Sequence, residues 1–200
     1  MAMRCFVHRV NTLPELSEIP YQYGVEIDLR SNTSGEIILQ HEPFQSGCLF
    51  SDWLSGYNHS GLILNVKEVG LETAVLRLLN DRGIHDFFFL DQPLPSIVSL
   101  TKMGEHRLAV RVSEYESVAS ALALARHVEW VWVDFFHAPW ITYEDVLAIS
   151  NAGLRVCFVS PELQSHPTPI MINQIKQLFD SYAWKPEAVC TKIPQAWGFD

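Results

Sequence analysis

"GVEIDLRSNTSGEIILQH", residues 24–41, is a strand, a turn and a second strand in eighteen residues. Val25, Ile27 and Leu29 alternate with Glu26, Asp28 and Arg30, so the apolar and charged side chains point to opposite faces. "SNTSG" (31–35) reads as the turn, and "EIILQH" (36–41) extends the same unit. Glu26 and Asp28 share one face of an otherwise apolar strand. Two such carboxylates repel and lose hydration unless a cation or a base sits between them.

Similar apolar, β-branched or aromatic runs recur on both sides: "RCFVH" (4–8), "LILNVK" (62–67), "FFFL" (87–90), "LAVRV" (108–112), "WVWVDF" (130–135), "RVCFV" (155–159) and "AVCTK" (188–192). With 24–41 taken as one unit, the chain holds eight β units. Helical periodicity fills several gaps. Leu71, Val75, Leu78 and Leu79 share a face in 71–82, and Val118, Ala121, Leu122 and Ala125 do so in 117–127. Thr142 with Asp145 is a helix-start signal before Val146 and Ile149, and Gly153 is a stop. Ile172, Ile175 and Phe179 mark a further amphipathic helix. Strands alternating with helices predict an α/β fold with a parallel sheet. The expected form is a compact (β/α)8 barrel with an incomplete final helix, one domain over residues 1–200. A doubly wound open sheet is the alternative. No glycine-rich phosphate loop follows the first strand, which weakens a nucleotide-binding version.

The formal net charge of -9 argues against a nucleic-acid surface. No apolar run is long enough to span a bilayer. No secretory leader is evident at MAMRCFVHRV. Cys5, Cys157 and Cys190 sit in apolar runs as small buried hydrophobes, Cys48 stands apart, and none forms a C-x-x-C pair. A cytoplasmic setting is expected.

In a barrel, active groups gather where strands end. His8 and Arg9 end the first strand, and His41 ends the extension of the second. Asn65 and Lys67 lie two apart in the third β unit. Asp91, Arg111, Asp134, Ser160 and Lys192 occupy comparable late positions. Plainer readings stand beside these. Asp91 and Asp134 are equally placed to cap helices, Arg111 to pair with a carboxylate, and Ser160 before Pro161 to make a turn. His59, His85, His106, His127, His137 and His166 read as mostly ordinary surface residues. Phe135, Phe136 and Trp140 fall in loop territory, where aromatics can cover a ligand.

Glu26 and Asp28 can bind a hard divalent ion through oxygen. His8 and His41 can give and take protons on opposite sides of a reacting centre. Arg9 and Lys67 can hold an anion. Together these groups describe phosphodiester cleavage.

"HR" at 8–9, "E-I-D" at 26–28, "H-E-P-F" at 41–44 and "N-V-K" at 65–67 resemble, in order, the motifs of the glycerophosphodiester phosphodiesterase family. That family belongs to a barrel superfamily with phosphatidylinositol-specific phospholipase C. The resemblance implies a catalytic pair His8 and His41, phosphate contacts from Arg9 and Lys67, and metal ligation by Glu26, Asp28 and Asn65. Asp91, Arg111, Asp134 and Lys192 would extend the pocket. The implied cofactor is Mg2+ or Ca2+, with Mn2+ a further choice, and the implied partner is a small phosphodiester.

Five departures qualify it. Val10 stands where the family has glycine, Glu42 where it has aspartate, Asn65 where it has glutamate, and Lys192 where it has aspartate in a closing T-D-x-P. Only 23 residues (42–64) separate His41 from Asn65, so the family's inserted subdomain is missing. A catalytically degenerate barrel that binds a phosphorylated ligand is therefore the alternative. A Schiff-base isomerase or aldolase using Lys67 is a third reading.

Overall fold

The computed structural model describes residues 2–199. In chain order the elements are β1 (Arg4–Val7), α1 (Leu13–Glu18), β2 (Gly24–Ser31), β3 (Ile37–Leu39), β4 (Cys48–Leu49), α2 (Phe50–Trp53), β5 (Leu62–Val66), α3 (Glu72–Asn80), β6 (Phe87–Leu90) and α4 (Leu94–Lys102). They continue with β7 (Ala109–Val112), α5 (Val118–Ala123), β8 (Trp130–Val133), α6 (Tyr143–Asn151), β9 (Arg155–Val159), a 3-10 turn (Pro161–Gln164), α7 (Thr168–Ser181), β10 (Ala188–Thr191) and α8 (Pro194–Trp197).

Eight of the strands are parallel, in the spatial order β7-β8-β9-β10-β1-β2-β5-β6. A single parallel bridge, Phe89 to Leu108, joins β6 to the residue before β7 and brings the ends of the row together. Aromatic contacts across the interior fit a barrel and not an open sheet. The Phe88 ring on β6 stacks on Trp130 of β8 at 4.5 Å and meets Phe6 of β1 edge-on at 6.0 Å. Those three strands are not hydrogen-bonded neighbours. The fold is the (β/α)8 barrel expected, and α8 is a single turn.

Strand alternation sorts the side chains. Phe6, Ile63, Phe88, Trp130, Cys157 and Cys190 form one buried cluster inside the barrel. Their odd-numbered or even-numbered neighbours, such as Val7, Leu64, Phe89, Val131 and Val189, pack outward under the helices in a second. Following the inward parity toward the strand ends gives Glu26 and Asp28 on β2, Asn65 on β5, and Arg111 on β7. The inward face changes from apolar to charged at the C-terminal end. Each buried Leu, Ile, Val or Phe contributes roughly 1.5–3 kcal/mol.

The helices follow their local signals. Val75 and Leu79 of α3 and Ile172, Ile175 and Phe179 of α7 are buried as the periodicity predicts. Thr142 and Asp145 form a complete capping box on α6, and Gly153 follows its end at φ 75°. Several expectations are corrected. Residues 36–41 do not simply prolong β2. β3 turns back antiparallel to it, pairing Ile37 with Ser31 and Leu39 with Leu29. The helix expected over 117–127 ends at Ala123. Helix α4 went unmarked, and so did α1, despite the capping box of Thr12 with Glu15. Phe135 is fully buried, packed on Phe158 and stacked on His166, so it is core and not a loop aromatic. His59 is buried and bonds the Ile19 carbonyl at 3.0 Å, so it is not a surface residue.

Candidate active site

Strand β1 hands its chain directly to the site. His8 N–H donates to the Thr191 carbonyl at 2.9 Å, which continues the pairing with β10. Arg9 then turns left-handed at φ 59°. A non-glycine residue pays roughly 1–2 kcal/mol for that conformation, and such strain concentrates at functional positions. The turn aims the Arg9 N–H at Glu26 Oε2, 2.7 Å away, while Val10 N–H donates to the Glu26 carbonyl at 2.8 Å. Val10, where a glycine was the family pattern, is buried in the core.

Glu26 and Asp28 are both fully buried. Besides Arg9, Glu26 accepts from the Asn65 amide at 3.0 Å and lies 3.6 Å from His8 Nε2. Asp28 accepts from Asn11 Nδ2 at 2.9 Å, and Asn11 Oδ1 accepts the Asp28 N–H at 2.9 Å. Its other neighbours are Arg9 Nε at 3.4 Å and Lys67 Nζ at 3.3 Å. Loss of hydration, then the nearby Asp28 charge, pushes the Glu26 carboxyl up to about 7. Burial, helped by Arg9, brings His8 down to about 4, so its ring is neutral at pH 7. Its Nδ1 is buried without a hydrogen-bond partner among the described residues.

The charges continue around the mouth strand by strand. Lys67 Nζ lies 3.8 Å from Asp91, Asp91 pairs closely with Arg111, and Arg111 lies 3.6 Å from Asp134. Asp134 then accepts from Gln164 Nε2 at 2.8 and 3.0 Å and from Phe135 N–H at 2.9 Å. Burial works against the Arg111 charge, but Asp91 and Asp134 more than offset it and hold its pKa above the ordinary value. Burial pushes Asp134 up despite Arg111. The alternating row Arg9–Asp28–Lys67–Asp91–Arg111–Asp134 draws one residue from each of six adjacent β units. Asp91 is therefore an ion-pair member at φ 60°, not a helix cap.

Three expected residues stand differently. His41 is on the loop after β3, with Nδ1 bonded to Glu42 at 2.7 Å and its carbonyl to Arg30 Nε at 3.0 Å. Among the described residues, no hydrogen bond or ion pair joins it to the buried cluster. Lys192 is exposed beside His8, following Thr191, and its N–H is held by Glu162 at 2.8 Å. Ser160 is buried and takes part in side-chain bonding with Glu162 and Trp197, not only in a turn. Trp140 Nε1 donates to the Asp134 carbonyl at 2.8 Å, and Phe136 N–H to Glu114 at 2.9 Å. The sequence reading missed Asn11, Glu162 and Gln164. Only Asn11 carried a signal, three residues after His8 and just before a capping box.

Glu26 and Asp28 supply hard oxygen that suits a divalent ion, and Asn65 Oδ1 is buried without a hydrogen-bond partner among the described residues, although its Nδ2 is the atom that meets Glu26. Among the described residues no cluster of three His, Cys, Asp or Glu side chains forms a metal set, because the third donor here is an amide.

No protein-family model matches the sequence, and no curated protein matches it. Solved structures do. The chain matches a structure described as a glycerophosphoryl diester phosphodiesterase of Agrobacterium tumefaciens with TM-score 0.69 at 15% identity, over 96% of this chain and 94% of that one. A glycerophosphodiester phosphodiesterase of the same organism matches with TM-score 0.66 at 14% identity, over 98% and 97%. A glycerophosphoryl diester phosphodiesterase of Parabacteroides distasonis matches with TM-score 0.64 at 14% identity, over 97% and 85%. Nearly the whole chain thus has the barrel fold of glycerophosphodiester phosphodiesterases.

Proposed function

We propose that this chain hydrolyses a small phosphodiester at the barrel mouth, with a divalent ion held by Glu26, Asp28 and Asn65. The supporting observation is the pair of fully buried carboxylates on β2, set between Arg9 and Lys67 and beside a neutral His8. The ion, when bound, would supply Lewis-acid stabilisation of charge on phosphate. Arg9 and Lys67 bind and orient the anionic phosphate. His8, neutral at working pH, accepts the proton of the attacking water or of a substrate hydroxyl. His41, backed by the Glu42 carboxylate, donates a proton to the leaving oxygen. On this reading the His41 ring, carried by the 40–47 loop, acts on the side of phosphate opposite His8. His8→Ala and His41→Ala should each lower the hydrolysis rate by roughly 10²–10⁴. Calorimetric binding of Mg2+ should persist in both. Full activity in both variants would remove the assignment.

Phosphate binding without cleavage is the second reading. It is favoured by the charge match between Glu26 with Asp28 and Arg9 with Lys67, and by an amide as third donor. A Schiff base on Lys67 would require its release from both Asp28 and Asp91.

A further inference from the structure

The barrel is joined most weakly between β6 and β7. Every other neighbouring pair shares at least two registered residues, whereas this one has the lone Phe89–Leu108 bridge below the mouth. Outside that seam, α4 and α5 leave a cavity of about 660 Å³. The cause is local. Helix α5 is only six residues long, VASALA, and its Ser117 and Ser120 edge carries little bulk. Leu94 and Ile97 from α4, Val110 from β7 and Leu124 beyond α5 give it apolar walls, and Glu116 lies with the two serines along the α5 edge. At the mouth end stand Asp91 and Arg111, and Asp91 is the next charge along from Lys67 at 3.8 Å. The cavity therefore begins one ion pair away from the phosphate-binding groups.

Its chemistry is distinct from the mouth. The Arg111 charge is already matched by Asp91 and Asp134, so the inner end offers no free charge to an anion. Gln92, 8% exposed, lines the cavity, and its Oε1 is buried without a hydrogen-bond partner among the described residues. That oxygen has essentially no accessible surface, so Gln92 bounds the cavity without offering it a polar contact. Leu94 and Tyr115 stand exposed at the opening, although large apolar side chains gain by being covered.

We infer that the cavity between α4 and α5 receives an ester group of the substrate, and that this group is bulky and mainly apolar. This inference rests on the phosphodiester reading of the mouth and names the substrate class for it. The phosphate lies against Arg9 and Lys67, and the ester group passes Asp91 into the seam. Small alcohols such as methanol or glycerol leave the walls uncovered.

Calorimetry with dibenzyl phosphate and dimethyl phosphate tests this on the intact chain. Both carry the same phosphate monoanion, and only one carries bulk. Wild type should bind dibenzyl phosphate about tenfold more tightly or better. Ser120→Trp on one wall and Leu94→Trp on the other, both at exposed helix positions, should erase that preference and leave dimethyl phosphate affinity unchanged. Equal affinities in wild type would overturn the cavity assignment while leaving the phosphate site standing. A preference that survives in both tryptophan variants would overturn it as well. Failure of both phosphates and of inorganic phosphate to bind would instead remove the mouth reading, and the cavity assignment with it.

Discussion

His8 and Glu26 are shifted in opposite directions. Glu26 is raised from 4.5 to about 7, so between those values the folded protein holds a proton that the unfolded chain has released. Stability from this group falls as pH rises through that window. His8 is lowered from 6.5 to about 4, so between those values the unfolded chain holds the extra proton, and stability rises with pH. In metal-free wild type the two slopes nearly cancel between pH 4.5 and 6.5. His8→Gln should expose the Glu26 slope, with stability falling by roughly 3 kcal/mol from pH 4.5 to 7. Glu26→Gln should show the opposite slope from pH 4 to 6.5. Urea unfolding across pH with EDTA measures both, and matching profiles in the two variants would contradict the assignment. Asn65→Glu adds a third buried carboxylate. It should destabilise the chelated protein by about 3–5 kcal/mol and recover with Mg2+ in thermal unfolding. The position of His8, Arg9, Glu26 and Asp28 was legible because each lies at a strand end or on the inward parity. Asn11 was not, because its role depends on the left-handed turn at Arg9. The separation of His41 from the cluster was equally hidden, since a loop sets it.

At the scale of elements, strands were easier to read than helices. A barrel strand buries both faces, so "FFFL" and "WVWV" stand out as apolar runs. Helix α4, "LPSIVSLTK", mixes β-branched and hydroxyl residues of weak helix propensity, and packing of Ile97 and Leu100 supports it. The hairpin of β3 on β2 was half legible: the turn was plain, but antiparallel return and continuation share one apolar pattern. The capping box on α6 makes a direct prediction. Thr142→Ala removes the acceptor for Asp145 N–H and should cost about 1 kcal/mol in chemical unfolding. Gly24 makes another. A methyl group there would sit 2.4 Å from the Phe6 ring, which is wedged against Phe88. Gly24→Ala should destabilise by roughly 1–3 kcal/mol in the same assay. No loss would mean that the interior aromatic cluster yields easily.

At the scale of the whole molecule, the barrel gathers charged residues of six adjacent β units around its mouth, while aromatic, aliphatic and cysteine side chains fill the interior below. That division explains why eight apolar runs, each ending in a polar residue, were enough to read the fold. Seam width and helix length were not readable, because they depend on how α4 and α5 pack across β7. The chain carries a formal net charge of -9, and at the mouth Arg9 and Lys67 both lie against Asp28. The most direct test is phosphorus NMR of wild type with a panel of glycerophosphodiesters and aryl or alkyl phosphodiesters, in Mg2+, Mn2+ or Ca2+. Conversion of at least one diester to its monoester, absent in His8→Ala, is the predicted result. Binding of diesters with no monoester formed under any ion would contradict hydrolysis and leave a phosphate-binding barrel.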